Sequence, residues 1–231
     1  MKLIGLKKEG NRGLVQFHGC HLRCGYCTHL HHPSFQLPVA EVVAELSDPM
    51  VEEVYLGGAE PTVQRRELEE LMRHLSSMGK RLVLKTDGAD PEFLQRVAPL
   101  VELFVIEVKW PLDDVQGYSL MAGMSPERTA RYLDSLRETL SSLKGRRIRV
   151  WIRVIPGLVN RDHISRIGKQ VEGLATEAHL YQFLSNPEND APFMGIDAAG
   201  PGRDEMMAMA KALRAHVPRV VVLGSDFRQE L

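Results

Sequence analysis

"GLVQFHGCHLRCGYCTHLHH" occupies Gly13–His32. Its first seven residues, Gly13–Gly19, are mostly apolar, with a β-branched and an aromatic side chain, and predict a strand. The segment after that strand holds every cysteine of the chain, Cys20, Cys24 and Cys27, and then His29, His31 and His32. A metal site there either staples a small module or is mounted on the edge of a large sheet. The chain has 231 residues, 44% hydrophobic and 26% charged, enough for a sizeable core that needs no staple. That length is consistent with one domain spanning 1–231.

The formal charge of −1 gives no electrostatic reason to expect nucleic acid or an anionic membrane as a partner. The basic run "KGRRIR" (Lys144–Arg149) reads as a solvated strand entry. "MKLIGLKKEG" lacks the apolar stretch and cleavage site of a signal peptide, and no segment is apolar enough to span a membrane. The expected location is cytoplasmic. Thiols stay reduced there, so clustered cysteines point to metal and not to disulfides.

Outward from the cysteines, short apolar runs alternate with helical patterns. Strands are expected at Glu52–Gly58, Arg81–Thr86, Leu103–Lys109, Ile148–Pro156, Ala178–Leu184 and Arg219–Gly224. Most look like strands of a parallel sheet buried on both faces. Helical stripes run through Leu68, Leu71, Met72 and Leu75, and through Leu133, Leu136, Leu140 and Leu143. Two more run through Ile164, Ile167, Val171 and Leu174, and through Met206, Met209, Ala210 and Leu213. The alternation predicts an α/β fold with function at the C-terminal strand ends. Ser185–Gly202 reads as a long flexible loop, functional or disordered. Polar residues collect where strands end: "GGAEPT" (Gly57–Thr62), "KTDG" (Lys85–Gly88), "EVKWPL" (Glu107–Leu112) and "RVIPGL" (Arg153–Leu158).

Two metal readings fit the cysteines. Cys20, Cys24, Cys27 and His31 could close a tetrahedral zinc site. Alternatively, C-x3-C-x2-C holds three irons of a [4Fe-4S] cluster and leaves the fourth open to a small molecule. That spacing after the first strand of a β/α protein, with an aromatic residue before the third cysteine, resembles the radical S-adenosylmethionine (radical SAM) superfamily. The resemblance implies a partial (β/α)6 TIM-like barrel, here with a core over about 13–184. Residues 185–231 then add a loop, a helix and an extra C-terminal strand. It also implies a [4Fe-4S] cluster on Cys20, Cys24 and Cys27, with S-adenosylmethionine (SAM) on the open iron. In that family the cluster reductively cleaves SAM to a 5′-deoxyadenosyl radical, which abstracts hydrogen from the substrate.

"GGAEPT" resembles the family's Gly-Gly-Glu-Pro segment. It assigns Gly58, Ala59 and Glu60 to the methionine end of SAM, with Ala59 a departure from glycine. "KTDG" is similar to the Thr-Asn-Gly segment and assigns Thr86 and Asp87. "EVK" resembles the Asp-x-Lys of glycyl-radical activases and assigns Glu107 and Lys109, with Lys109 also the catalytic candidate. Arg153 leads a segment similar to Arg-Val-Pro-Gly, and Tyr26 belongs to the cysteine pattern. Lys85 is expected to neutralise Glu107 or the SAM carboxylate, and the histidines are expected to be bystanders. "EVKWPLDD" with "YSLMAG" (Tyr118–Gly123) looks most like activating enzymes of glycyl-radical enzymes, especially the anaerobic ribonucleotide reductase type. The implied substrate is a glycine of a partner protein docking near Ser185–Gly202. The implied reductant is an external donor such as flavodoxin or ferredoxin. A radical SAM enzyme acting on a small molecule is the alternative, and a zinc-stabilised binding protein is a third.

Overall fold

The computed structural model describes residues 1–27, 29, 31–183 and 200–231. All but the last three residues of the expected loop Ser185–Gly202 therefore lie outside the described residues. The strands are β1 (Lys2–Glu9), β2 (Arg12–Phe17), β3 (Phe35–Gln36), β4 (Glu53–Gly58), β5 (Arg81–Thr86), β6 (Leu103–Glu107), β7 (Ile148–Val154), β8 (Glu177–Gln182), β9 (Val220–Leu223) and β10 (Arg228–Glu230). They form one sheet in the order β10-β9-β8-β7-β6-β5-β4-β2-β1-β3. From β2 through β9 neighbouring strands in this order are parallel. At the rims β1, β3 and β10 pair antiparallel. Among the described residues the ends of the sheet do not pair with each other, so the barrel is partial, as the resemblance implied, and β9 is the extra C-terminal strand.

The helices are α1 (Val39–Leu46), α2 (Arg65–Ser77), α3 (Pro91–Val97), α4 (Val115–Ala122), α5 (Pro126–Ser142), α6 (Arg161–Val171) and α7 (Arg203–Arg214). Their starts are chemically marked. Ser125 caps α5 and Asp90 caps α3, each ahead of a proline, while Asp114 accepts the Gly117 N–H at the start of α4. No helix among the described residues is long and apolar enough to cross a membrane.

β5, β6, β8 and β9 are buried on both faces, as expected, whereas β2 and β7 alternate between buried and more exposed residues. One face carries Val54, Leu56, Leu84, Phe104, Ile106, Val150 and Ile152, in one core with the helix stripes. On the other face Val83, Leu103 and Val105 form a separate small cluster with Tyr55 and Trp151. β7 shows why: its residues alternate between buried and half-buried, so Arg149, Trp151 and Arg153 share the concave side. At the N-terminal mouth of that side sits a cavity of about 350 Å3 with arginines in its wall. Each arginine has a carboxylate: Arg12 with Glu53 at 2.6 Å, Arg147 with Glu102 at 2.8 Å, Arg149 with Glu177 at 2.8 Å, and Arg81 with Glu52 at 3.6 Å. Charge there is already balanced, so this cavity offers little to a ligand.

Ile106 is fully buried on the central strand, whereas Leu120 is 51% exposed. Ile106→Ala is expected to lose about 2–5 kcal/mol of unfolding free energy. Leu120→Ala should change it by less than about 0.5 kcal/mol. Urea titration of both variants measures this difference.

Candidate active site

The cysteine loop leaves β2 and is tied down at once. The Ala59 N–H donates to Phe17 O at 3.0 Å and the Glu60 N–H to Gly19 O at 2.8 Å. Leu22 is buried in the core, and its N–H donates to Cys20 Sγ at 3.3 Å. The Arg23 guanidinium turns back to donate to Cys20 O and Leu22 O. Cys20, Cys24 and Cys27 are all half-buried free thiols. Burial pushes the Cys20 thiol up to about 12, with the charge of Asp87 adding to it, and burial also raises Cys24. Both thiols are therefore protonated at neutral pH until a metal displaces the proton.

β4 ends at Gly58, whose φ is +97°. A Cβ there would lie 2.6 Å from Phe17 N and 2.8 Å from Phe17 O, so only glycine fits against β2. Glu60 follows, 1% exposed. Its Oε1 accepts the Thr62 N–H at 3.0 Å, the Thr62 hydroxyl at 2.6 Å and the Thr86 hydroxyl at 2.9 Å. Its Oε2 accepts the Asp87 N–H at 2.6 Å. Glu60 thus binds the rim of β4 to the rim of β5, and only Oε2 keeps ready capacity for another donor. Asp87 Oδ1 accepts from Ala89 N–H, while Oδ2 is buried with no partner. Burial, with the nearby charge of Glu60, holds Asp87 well above the usual carboxylate range.

β6 delivers Glu107, and Lys109 lies two residues on. Lys109 Nζ is 2.9 Å from Glu107 Oε2, and Lys85 Nζ from β5 is 3.7 Å from the same oxygen. Burial acts to raise Glu107, but the charges of Lys109, Lys85 and Arg153 outweigh it and hold the carboxyl below its usual range. Burial acts to lower Lys109, and Glu107 reverses that too. Both groups stay ionised. The Tyr26 hydroxyl reaches Glu107 Oε1 at 3.5 Å, and the Arg153 guanidinium lies 5.4 Å from the centre of the Tyr26 ring.

All twelve cofactor, metal or catalytic candidates of the sequence line one cavity at the C-terminal strand ends. Leu22, His29, Lys85 and Trp151 line it too. Trp151 escaped sequence reading, although it lies two residues before Arg153 on the same face of β7. Its ring packs under Lys85 Nζ at 4.3 Å and against Tyr181 at 4.4 Å. His29 is placed in the wall and not in solvent, which corrects its reading as a bystander. Burial lowers its pKa to about 4, so the ring is neutral at pH 7.

The residues present fit an open cluster and a zwitterionic ligand. The chain has three cysteines, all free thiols, which would supply ligands for three irons of a cube and leave the fourth to a ligand. Beside the thiols, Asp87 Oδ2, Arg153 Nε and Trp151 Nε1 are buried and unpartnered, offering both acceptor and donor sites. Glu60→Gln puts an amide NH2 where only acceptors fit, and should cost about 1–3 kcal/mol in the metal-free protein, read by denaturant unfolding.

The model of the radical SAM superfamily matches residues 14–167. A protein of Methanocaldococcus jannaschii is 22% identical over 219 residues, 90% of this chain and 87% of that one. It is named a glycyl-radical enzyme activating enzyme, a name that itself marks the assignment as provisional. A 7-carboxy-7-deazaguanine synthase of Hyperthermus butylicus is 34% identical, over only 42% of this chain and 45% of its own length. Among solved structures, Streptococcus suis SuiB bound to S-adenosylmethionine superposes with a TM-score of 0.68 at 11% identity. That likeness covers 90% of this chain and 48% of SuiB. The fold, the cavity and the family match agree, and the chain belongs to the radical SAM superfamily, enzymes whose cofactors are a [4Fe-4S] cluster and SAM.

Proposed function

We propose that this enzyme is an activase that removes a hydrogen from a glycine of a partner glycyl-radical enzyme. The observation that carries this reading is the likeness to the Methanocaldococcus protein, which runs through nearly the whole of both chains. The open sheet supports it, because a peptide loop needs a cleft that a closed barrel lacks. Partial likeness to 7-carboxy-7-deazaguanine synthases supports a second reading, in which the substrate is a small molecule.

In either reading Cys20, Cys24 and Cys27 would hold three irons of the cluster and leave the fourth to SAM. When bound, cluster and SAM together supply a one-electron reductive cleavage that yields the hydrogen-abstracting 5′-deoxyadenosyl radical. The chain's own residues bind, orient and exclude water. Gly58 and Ala59 would let the backbone come close to the methionine end, and Glu60 Oε2 and Asp87 Oδ2 would accept from its ammonium. Lys109, Lys85 and Arg153 gather around Glu107 and would offer donors to a ligand carboxylate. Lys109, the catalytic candidate, stays charged because Glu107 holds it so. Thr86 fixes Glu60, and Tyr26 lies between Glu107 and Arg153. The electron comes from an external donor such as flavodoxin or ferredoxin.

Anaerobic reconstitution with iron and sulfide, then reduction with SAM, is expected to give 5′-deoxyadenosine, and Cys24→Ser is expected to abolish it. Adding the glycyl-radical partner should produce a glycyl doublet in electron paramagnetic resonance. Cleavage stimulated by a small metabolite, with no protein radical, would favour the second reading. Lys85→Ala should weaken SAM binding about tenfold, the equivalent of one contact of about 1.4 kcal/mol. Unchanged affinity would remove Lys85 from the SAM site.

A further inference from the structure

We propose that Gly123, at the C-terminus of α4, is a positioning residue for the cysteine loop. This inference rests on the family and not on the choice of substrate. Gly123 ends α4 in the left-handed conformation, φ +63° and ψ +42°, with its N–H donating to Ser119 O at 2.9 Å. The preceding carbonyl, Ala122 O, is one of those a helix end leaves unsatisfied. It accepts the N–H of Arg23, the residue before Cys24, at 2.9 Å. The helix end and the cysteine loop are thus joined backbone to backbone.

The contact leaves no space. A Cβ on Gly123 would lie 2.0 Å from Arg23 O and 2.6 Å from Arg23 C. Those atoms belong to the Arg23–Cys24 peptide, so no side chain can swing aside to make room. Gly10, Gly79, Gly145, Gly157 and Gly173 also have positive φ, yet an added Cβ there would meet nothing within 4 Å. At those five positions glycine serves the turn alone. At Gly123 it serves the turn and the close approach of the cluster loop.

The helix cannot easily give way. Tyr118 is fully buried, and its hydroxyl accepts the Lys109 N–H at 3.4 Å. The Ser119 hydroxyl joins the Thr129 hydroxyl of α5 at 3.0 Å, and Met121 is 1% exposed. With α4 anchored from behind, a side chain at 123 moves the Arg23–Cys24 peptide and with it the Cys24 sulfur. The loop can still fold, but its three thiols lose the spacing that a preformed cube requires.

Three variants separate this from a plain turn effect. Gly123→Ala adds a Cβ and a strained φ. Gly123→Asn adds the Cβ but tolerates the left-handed φ. Gly79→Ala imposes the strained φ just past α2, where space is open. After anaerobic reconstitution, at a temperature where circular dichroism shows every variant folded, iron release to a chelator is timed. Both Gly123 variants should lose iron about tenfold faster than wild type, the usual effect of disturbing what orients a metal ligand. Gly79→Ala should match wild type. Wild-type retention in Gly123→Asn, or equal loss in Gly79→Ala, overturns the proposal. If the Gly123 variants do not fold, hydrogen exchange on the metal-free wild type decides. The Arg23 amide should exchange as slowly as the amides inside α4, and exchange at an unprotected rate overturns the proposal.

Discussion

The carboxylate of Glu60 holds the rim of this sheet together. Two strand ends converge on it, and four donors from Thr62, Thr86 and Asp87 share its two oxygens. A buried carboxylate without such partners would be costly to keep charged. With them it fixes β4 and β5 in register at the C-terminal edge, sets Thr86 and Asp87 into the cavity wall, and leaves one oxygen side open. The Glu60 N–H also holds Gly19 O, so the cysteine loop starts from the same point. Sheet, loop and cavity therefore meet at one residue.

Around that bracket the two mouths of the sheet differ in how their polar groups are met. At the N-terminal mouth every arginine of the cavity wall has a carboxylate. At the C-terminal mouth Glu60, Asp87 and Glu107 share the cavity wall with Lys85, Lys109 and Arg153. Asp87 Oδ2, Arg153 Nε and Trp151 Nε1, buried without hydrogen-bond partners, belong to residues of that wall. A stable fold rarely leaves so many polar atoms unmet unless a ligand meets them. The volume of a cavity is a poorer guide here than the unmet polar atoms of its wall.

Much of this was legible in the sequence. The seven strands expected there lie within two residues of those observed, because parallel strands read as dense apolar runs. Four of the helices were legible as stripes. Helices α1, α3 and α4 were not, because at 8, 7 and 8 residues they are too short to show a period, although Asp90-Pro91 carries the same start signal as Ser125-Pro126. β1 was missed because "KLIGLKKE" lies at a rim, where charged residues face solvent and blur the alternation. In the site, residue types at strand ends were enough to gather the cysteines, Glu60, Glu107, Lys109 and Arg153. They were not enough for Trp151, which looks like core, or for His29, whose position depends on how the loop folds back. The sequence could not show that Glu60 spends most of its hydrogen-bonding capacity on its own fold. That depends on distances between strands far apart in the chain.

The central claim is that three thiolates hold a cluster whose fourth iron is open to SAM. The electron paramagnetic resonance spectrum of the reduced, reconstituted protein, recorded with and without saturating SAM, tests it most directly. The predicted result is a [4Fe-4S]+ signal whose g values and line shape shift when SAM is added, as ligation of an open iron requires. A signal indifferent to SAM, or a protein that takes up stoichiometric zinc and forms no cluster, would contradict it.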